Sequence, residues 1–395
     1  ITGHAVRAMY MYTGAADVAA FTGDSGYIRA MKTVWEDVVH RNMYITGGIG
    51  SAGSNEGFSQ DYDLPNEQAY CETCASVGMV FWNQRMNLLT GDSKYVDVLE
   101  KSLYNGALDG LSLTGDRFFY GNPLASRGQH QRREWFGTAC CPANIARLVA
   151  SVGDYIYARN DQAVWVNLFI GSETRVPIGK QMVSLRQQTR YPWEGKVELS
   201  VDVDKPASFA LYLRYPNWSG DQQGSIYQPL LSADTSAVLL LNGTAVTYTR
   251  EHGYLKVDRK WKKGDRLSYS FPMEPQLVKA YPGIRQDEGR LAIQRGPLVY
   301  CVEGADNQNK AWNILLPPDT RLESDKMNIL DEQVVVLKAR LPVVQVSDNG
   351  TNVQTQPQEV TAIPYYTWAN RGKNEMQVWL PTKITDVKIN YTPNP

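Results

Sequence analysis

The sequence of 395 residues predicts a multidomain chain of α and β structure: a helical region over residues 1–158, a β-sandwich over 159–273 and a second β-sandwich over 274–395. Three observations carry this. Apolar residues recur at helical spacing as far as about residue 158. From Trp165 onward the period changes to two. A chain of this length has room for two or three separate cores.

The first helix is expected over residues 4–20, rich in Ala and Met, and it stops at Thr22-Gly23-Asp24-Ser25. A second follows over 27–40. The same design returns about 68 residues later: a helix over 74–89, the connector Thr90-Gly91-Asp92-Ser93, and a helix over 95–108. Gly is the usual helix stop and Asp or Ser the usual N-cap, so the repeated connector marks two αα-hairpins of one kind. A fifth helix is predicted over 143–157. Between the hairpins run two long loops, 45–68 and 111–138, the second with a basic stretch from Arg127 to Arg133. Loops above 20 residues in a compact helical domain are more often functional than accidental. In a toroid of αα-hairpins they would meet at one mouth.

Strands are expected at 165–170, 196–201, 209–215, 237–241, 253–257 and 266–271, separated by Gly, Pro, Asn and Asp turns in the manner of a β-sandwich. A second β-rich unit begins at about residue 274, with 290–301, 333–338 and 375–380 as its clearest strands. Asn242-Gly243-Thr244 matches a glycosylation acceptor but reads better as a hairpin turn.

The formal net charge of −1 argues against a nucleic-acid or anionic-membrane partner. Tyr (23) and Trp (10) are abundant, which suits stacking on sugars but equally suits ordinary cores. The odd count of five cysteines is not a disulfide framework, so reduced or metal-bound thiols are expected. No apolar run reaches the length of a membrane span, and the first residues already enter a helical pattern rather than a signal peptide. The chain opens inside a pattern without Met, which suggests the later part of a longer protein. A bacterial periplasm and a cytoplasm fit equally well.

Four of the five cysteines lie in two short runs, Cys71-Glu72-Thr73-Cys74 and Cys140-Cys141-Pro142. Thiolates are the preferred ligands of zinc, and a carboxylate completes a tetrahedral set with three of them. Glu72, Cys74, Cys140 and Cys141 form the candidate set. Glu72 and Cys74 would diverge by about 200° on a regular helix, so they share a face only in an extended or helix-entry segment. Pro142 favours the turn that adjacent cysteines need to reach one ion. Other readings stay open: a Cys71/Cys74 redox pair or half of a four-cysteine zinc knuckle, a strained vicinal disulfide, or inert buried thiols. Glycoside cleavage needs a proton donor beside the bond, and Glu56, in a loop of small residues, is the best placed carboxyl. By residue type alone it is a solvated loop glutamate.

The runs YITGGIGS (44–51), DLPNEQAYCETCA (63–75), GTACCPANIAR (137–147), RGPLVYCVE (295–303) and IPYYTWANRG (363–372) resemble the β-L-arabinofuranosidases of glycoside hydrolase family 127 and the related family 146. The resemblance covers essentially the whole chain. It implies an (α/α)6-barrel catalytic domain, of which this chain holds only the C-terminal half, followed by two β-sandwich domains. It implies zinc (Zn2+) held by Glu72, Cys74, Cys140 and Cys141, with Cys140 as nucleophile and Glu56 as general acid/base. By the same matching, His4, Glu100 and Tyr120 are expected to contact the sugar. By residue type alone they would be a helix-start histidine, a surface glutamate and a core aromatic.

The expected function is therefore a zinc-dependent retaining exo-glycoside hydrolase releasing β-linked L-arabinofuranose from plant glycans, with an oligosaccharide or glycoconjugate as its partner. About five of the twelve helices of a full barrel are counted, so a complementing N-terminal fragment or a homo-oligomer would be needed to cover the open face. One rival keeps the mechanism but takes a branched acidic pectic sugar, bound by Arg127, Arg132 and Arg133. Another is a non-catalytic carbohydrate-binding protein whose zinc is purely structural.

Overall fold

A computed structural model describes residues 1–219, 225–231, 236–346 and 353–387. The end of the expected second β unit lies outside the described residues.

Five α-helices occupy the first part of the chain: α1 (Ala5–Thr22), α2 (Ser25–Arg41), α3 (Thr73–Thr90), α4 (Ser93–Lys101) and α5 (Cys140–Ser151). The hairpin connectors fold as their residues dictate. Gly23 and Gly91 end α1 and α3 in the left-handed region, at φ 67° and 69°. Asp24 then accepts hydrogen bonds from the Gly26 and Tyr27 amides, and Asp92 from that of Lys94. The helix expected over 95–108 is a composite: α4 widens into a π-helical turn, Ser102–Ala107, and closes as a 3-10 turn, Leu108–Gly110. The largest shift is in α5. It begins at Cys140 rather than at residue 143, because Pro142 is tolerated within a first helical turn, where its missing N–H costs no intrahelical bond.

Two sheets follow. One has six strands, in the order 244–245, 238–241, 265–270, 196–203, 181–189 and 172–178; the other has five, in the order 249–251, 254–261, 207–214, 163–166 and 157–159. Alternate residues of both sheets meet in a single apolar core, with Val183, Leu199, Val201 and Leu267 from the first and Val164, Leu211, Leu213 and Leu255 from the second.

The C-terminal part departs from a separate unit confined to 274–395. It is one ten-stranded sheet that recruits strands from elsewhere: Tyr227–Pro229 pairs with Pro275–Ala280, and Ala125–Arg127 pairs with Glu375–Gln377. The second of these carries the sheet onto the second long loop of the helical region. One apolar cluster accordingly joins Tyr44, Ile45, Leu64 and Phe119 from the helical side to Val299, Cys301, Ile363 and Trp368 from the sheet. Among the described residues no helix is long and apolar enough to cross a membrane.

Candidate active site

The two cysteine runs sit at the starts of two helices. Glu72 is the N-cap residue of α3, with an extended ψ of 135°, and Cys74 lies in the first turn. Leaving the helix at that residue lets side chains two apart face the same way. Cys140 and Cys141 open α5. The positive ends of two helix dipoles therefore lie beside donors that are anionic when ligating a metal.

The four side chains converge. One donor atom from each of Glu72, Cys74, Cys140 and Cys141 lies within 4.8 Å of the others. Cys74 Sγ is 3.4 Å from Cys141 Sγ, and Cys140 Sγ is 3.8 Å from Cys141 Sγ. Glu72 Oε1 lies 3.5 Å from Cys140 Sγ and 3.6 Å from Cys141 Sγ. Glu72 is buried and its Oε2 has no hydrogen-bond partner. Burial raises the Glu72 carboxyl and pushes the Cys140 thiol up to about 11, while the hydrogen bond shared with Cys141 lowers Cys74. Three soft donors and a carboxylate oxygen packed this tightly, with one buried oxygen unpartnered, fit a tetrahedral cation such as zinc.

Cys71 does not join them. It adopts a left-handed φ of 38°, which reverses the chain between Cys71 and Glu72 and sends the thiol into the core beside Tyr44, Ile45 and Leu64. Burial, reinforced by the Asp109 carboxylate, holds that thiol well above its usual range. The redox-pair and zinc-knuckle readings, which need Cys71 beside Cys74 as a partner or ligand, lose their footing here. Cys301 is likewise buried in the core.

Glu56 reaches the cluster by way of a very close backbone contact. Gly3–His4 pairs with Gly57–Phe58, and the Ala5 amide donates to Glu56 O at 3.0 Å. A Cβ on Gly57 would lie 1.8 Å from Gly3 O, so only glycine permits this approach. His4 Nε2 is consequently 3.3 Å from Glu56 Oε2, and His4, Glu56 and Glu72 present atoms within 4.8 Å of one another. From the second loop, Tyr120 pairs its backbone with α3 through Thr73 N to Tyr120 O at 2.9 Å. Its hydroxyl lies 3.2 Å from Cys140 Sγ.

Glu100 is a correction. It is 1% exposed, and both carboxylate oxygens are taken: Oε1 accepts from Tyr191 OH at 2.7 Å and from Arg214, and Oε2 accepts from Trp218 Nε1 at 3.3 Å. Enclosed by these partners, it presents no exposed oxygen to a sugar. Two of the loop arginines offered for an acidic substrate are corrected in the same way. Arg132 is buried in an ion pair with Asp109 at 3.0 Å, and Arg127 stacks 3.8 Å over Trp312 and pairs with Glu67.

Three neighbours were missed. Tyr70 packs 6.1 Å from Tyr120, Phe136 meets Tyr120 edge-on at 5.5 Å, and Asn144 accepts from Tyr10 OH at 2.8 Å and lowers Cys74 through a hydrogen bond. Asn144 could have been found, because it lies four residues after Cys140 on one helix face. The two aromatics carry no such signal.

The model of the "Beta-L-arabinofuranosidase, GH127 catalytic domain" matches residues 1–154, that of the GH127 middle domain residues 163–273, and that of the "Glycoside hydrolase family 127 C-terminal domain" residues 275–381. A non-reducing end β-L-arabinofuranosidase of Bifidobacterium longum subsp. longum is 37% identical over 95% of this chain and 59% of its own length. A solved GH127 β-arabinofuranosidase superposes with a TM-score of 0.94 at 42% identity, covering 98% of this chain and 61% of that one. A GH127 β-L-arabinofuranosidase from Geobacillus stearothermophilus T6 gives 0.88 at 41% identity, covering 96% and 60%. The chain thus spans about three fifths of the length of these relatives.

Proposed function

The chain belongs to glycoside hydrolase family 127, and from that premise we propose that it is a zinc-dependent retaining glycosidase releasing β-linked L-arabinofuranose from the non-reducing end of a glycan. The observation that carries the reading is the convergence of Glu72, Cys74, Cys140 and Cys141, with the His4–Glu56 pair next to them. In this reading the helices are part of an (α/α)6 barrel and the sheet units are β-sandwiches.

Glu72, Cys74, Cys140 and Cys141 would hold the zinc, whose positive charge would keep the ligating thiols ionised at neutral pH. Cys140, the most open of the four, attacks the anomeric carbon through Sγ. The glycosidic C–O bond breaks as Glu56 gives its proton to the leaving oxygen. Glu56, now a carboxylate, takes a proton from water. That water displaces the sugar from sulfur and leaves the anomeric configuration unchanged overall. His4, 3.3 Å from Glu56, orients the carboxyl, and Tyr120, 3.2 Å from Cys140 Sγ, stabilises the thiolate.

The test is release of p-nitrophenol from a panel of furanosides that includes the β-L-arabinofuranoside, with and without a zinc chelator. Cys140→Ser and Glu56→Gln should each lower release by at least about 100-fold, the range for loss of a general acid, while thermal melting stays cooperative. A second reading has its own observation: four protein donors fill a tetrahedral shell, as in structural zinc sites. It predicts that Glu56→Gln changes nothing and that Cys140→Ser unfolds the helical region.

A further inference from the structure

The exposed ribbon that runs up to Cys140 carries two adjacent aromatic residues that turn opposite ways. Phe136 turns inward and meets the Tyr120 ring edge-on at 5.5 Å, and the Tyr120 hydroxyl lies 3.2 Å from Cys140 Sγ. Trp135 turns outward and is 61% exposed, whereas every other tryptophan of the chain is buried or half-buried. Its ring meets that of Phe118 edge-on at 6.3 Å. Among the described residues no cation lies over the indole, and its N–H has no partner. Arg133 and Phe118 exchange two backbone hydrogen bonds, at 2.7 and 2.9 Å, so the indole is held two residues beyond a fixed point.

Trp135 precedes Cys140 by five residues, and even fully extended such a segment spans at most about 18 Å. With Phe136 turned towards Tyr120 and Cys140 itself exposed, the indole stands at the rim of the site and not in its floor. Cleavage from the non-reducing end, the reading on which this inference rests, puts one arabinofuranose against Cys140 and Glu56. Whatever lies beyond the broken bond must then leave past that rim.

The surroundings of the indole select its occupant. Arg133, Glu134, Gly137 and Thr138 are exposed on the same ribbon, so Trp135 is an isolated aromatic in a polar rim. It is not part of the broad apolar patch that a protein interface needs. A sugar fits this pattern, because one face of its ring is C–H and its edge is hydroxyl, while an indole offers a flat apolar face and one N–H donor. We propose that Trp135 is a binding platform for the leaving side of the substrate, stacking on a sugar ring one or two residues beyond the bond that is cleaved.

The test compares two substrates: a linear arabinofuranosyl trisaccharide with a β-linked terminal residue, and methyl β-L-arabinofuranoside, which has no sugar on its leaving side. The quantity measured is the ratio of their kcat/KM values, which does not depend on the fraction of protein folded. The wild type should prefer the trisaccharide. Trp135→Ala should lower the ratio at least about tenfold, chiefly through KM for the trisaccharide, and Trp135→Tyr, which keeps a flat ring, by less than about threefold. A wild type without that preference, an unmoved ratio in Trp135→Ala, or a fall in Trp135→Tyr as large as that in Trp135→Ala would overturn the proposal and leave the glycosidase reading standing. A wild type that cleaves neither substrate would overturn both.

Discussion

Glu72 and Glu100 lie 28 residues apart on neighbouring hairpin elements and are equally buried, at 2% and 1% exposure, yet their surroundings are opposite. Around Glu100 the protein supplies its own cation. Arg214, from the strand Ala207–Arg214, binds Glu100, Asp97 at 2.6 Å and the Asn167 carbonyl at 2.7 Å, and Tyr191 and Trp218 complete the shell. Around Glu72 stand the three thiols, Glu56 and His4, and one carboxylate oxygen lacks any partner. A buried carboxylate needs compensating charge. The first cluster finds it inside the fold; the second leaves room for it to come from outside. The first therefore joins α4 to the β region, and the second is available for chemistry.

The largest expected effect breaks the closed cluster. Arg214→Met strands Asp97 and Glu100 together in the interior, and loss of one partner from a buried ion network costs on the order of 3–5 kcal/mol. Urea unfolding should show that loss, and a change below about 1 kcal/mol would mean that the cluster is not a closed unit. Burial already pushes Asp97 up to about 6 despite Arg214, so removing the cation should protonate it near neutrality.

The next effect sharpens the open cluster. Stabilisation by a bound ion follows mass action, and zinc at 100 times its dissociation constant adds about 2.7 kcal/mol. Melting of metal-stripped protein with and without zinc should reveal that increment. Glu72→Gln and Cys74→Ser should abolish it, whereas Glu100→Gln, although destabilising, should retain it. Loss of the zinc increment in Glu100→Gln would erase the distinction between the two sites.

The open cluster was legible in the sequence and the closed one was not. Thiolate chemistry marks Glu72, Cys74, Cys140 and Cys141 as a candidate set with no knowledge of the fold, though it leaves Cys71 open, and Thr-Gly-Asp-Ser punctuation marks both hairpins because caps act within a few residues. Glu100 looks like any helical glutamate, because the arginine that claims it lies 114 residues further on. Arg132 is hidden in the same way, its partner carbonyl oxygens at Tyr366 and Trp368 being more than 230 residues distant. The strand Tyr227–Pro229 was missed because its identity comes from a pairing across the expected boundary with Pro275–Ala280. Local patterns locate elements. They do not reveal which element will neutralise a buried charge.

A third buried carboxylate, Asp287, has an intermediate environment and gives the smallest effect. It accepts one hydrogen bond, from Asn66 Nδ2 at 2.7 Å, and burial raises it to about 7 although Arg290 lies nearby. A carboxyl raised from its ordinary value near 4 binds its proton more tightly in the folded state. Its contribution is thus fully present below about pH 4 and is lost as pH rises through about 7. Asp287→Asn keeps an oxygen for Asn66 and cannot ionise, so that loss disappears. The variant should gain on the wild type, by on the order of 2–3 kcal/mol, between pH 4.5 and pH 8. Urea unfolding at those two pH values measures the change. A stability difference that does not vary with pH would mean that Asp287, like Glu100, already has all the compensating charge it needs.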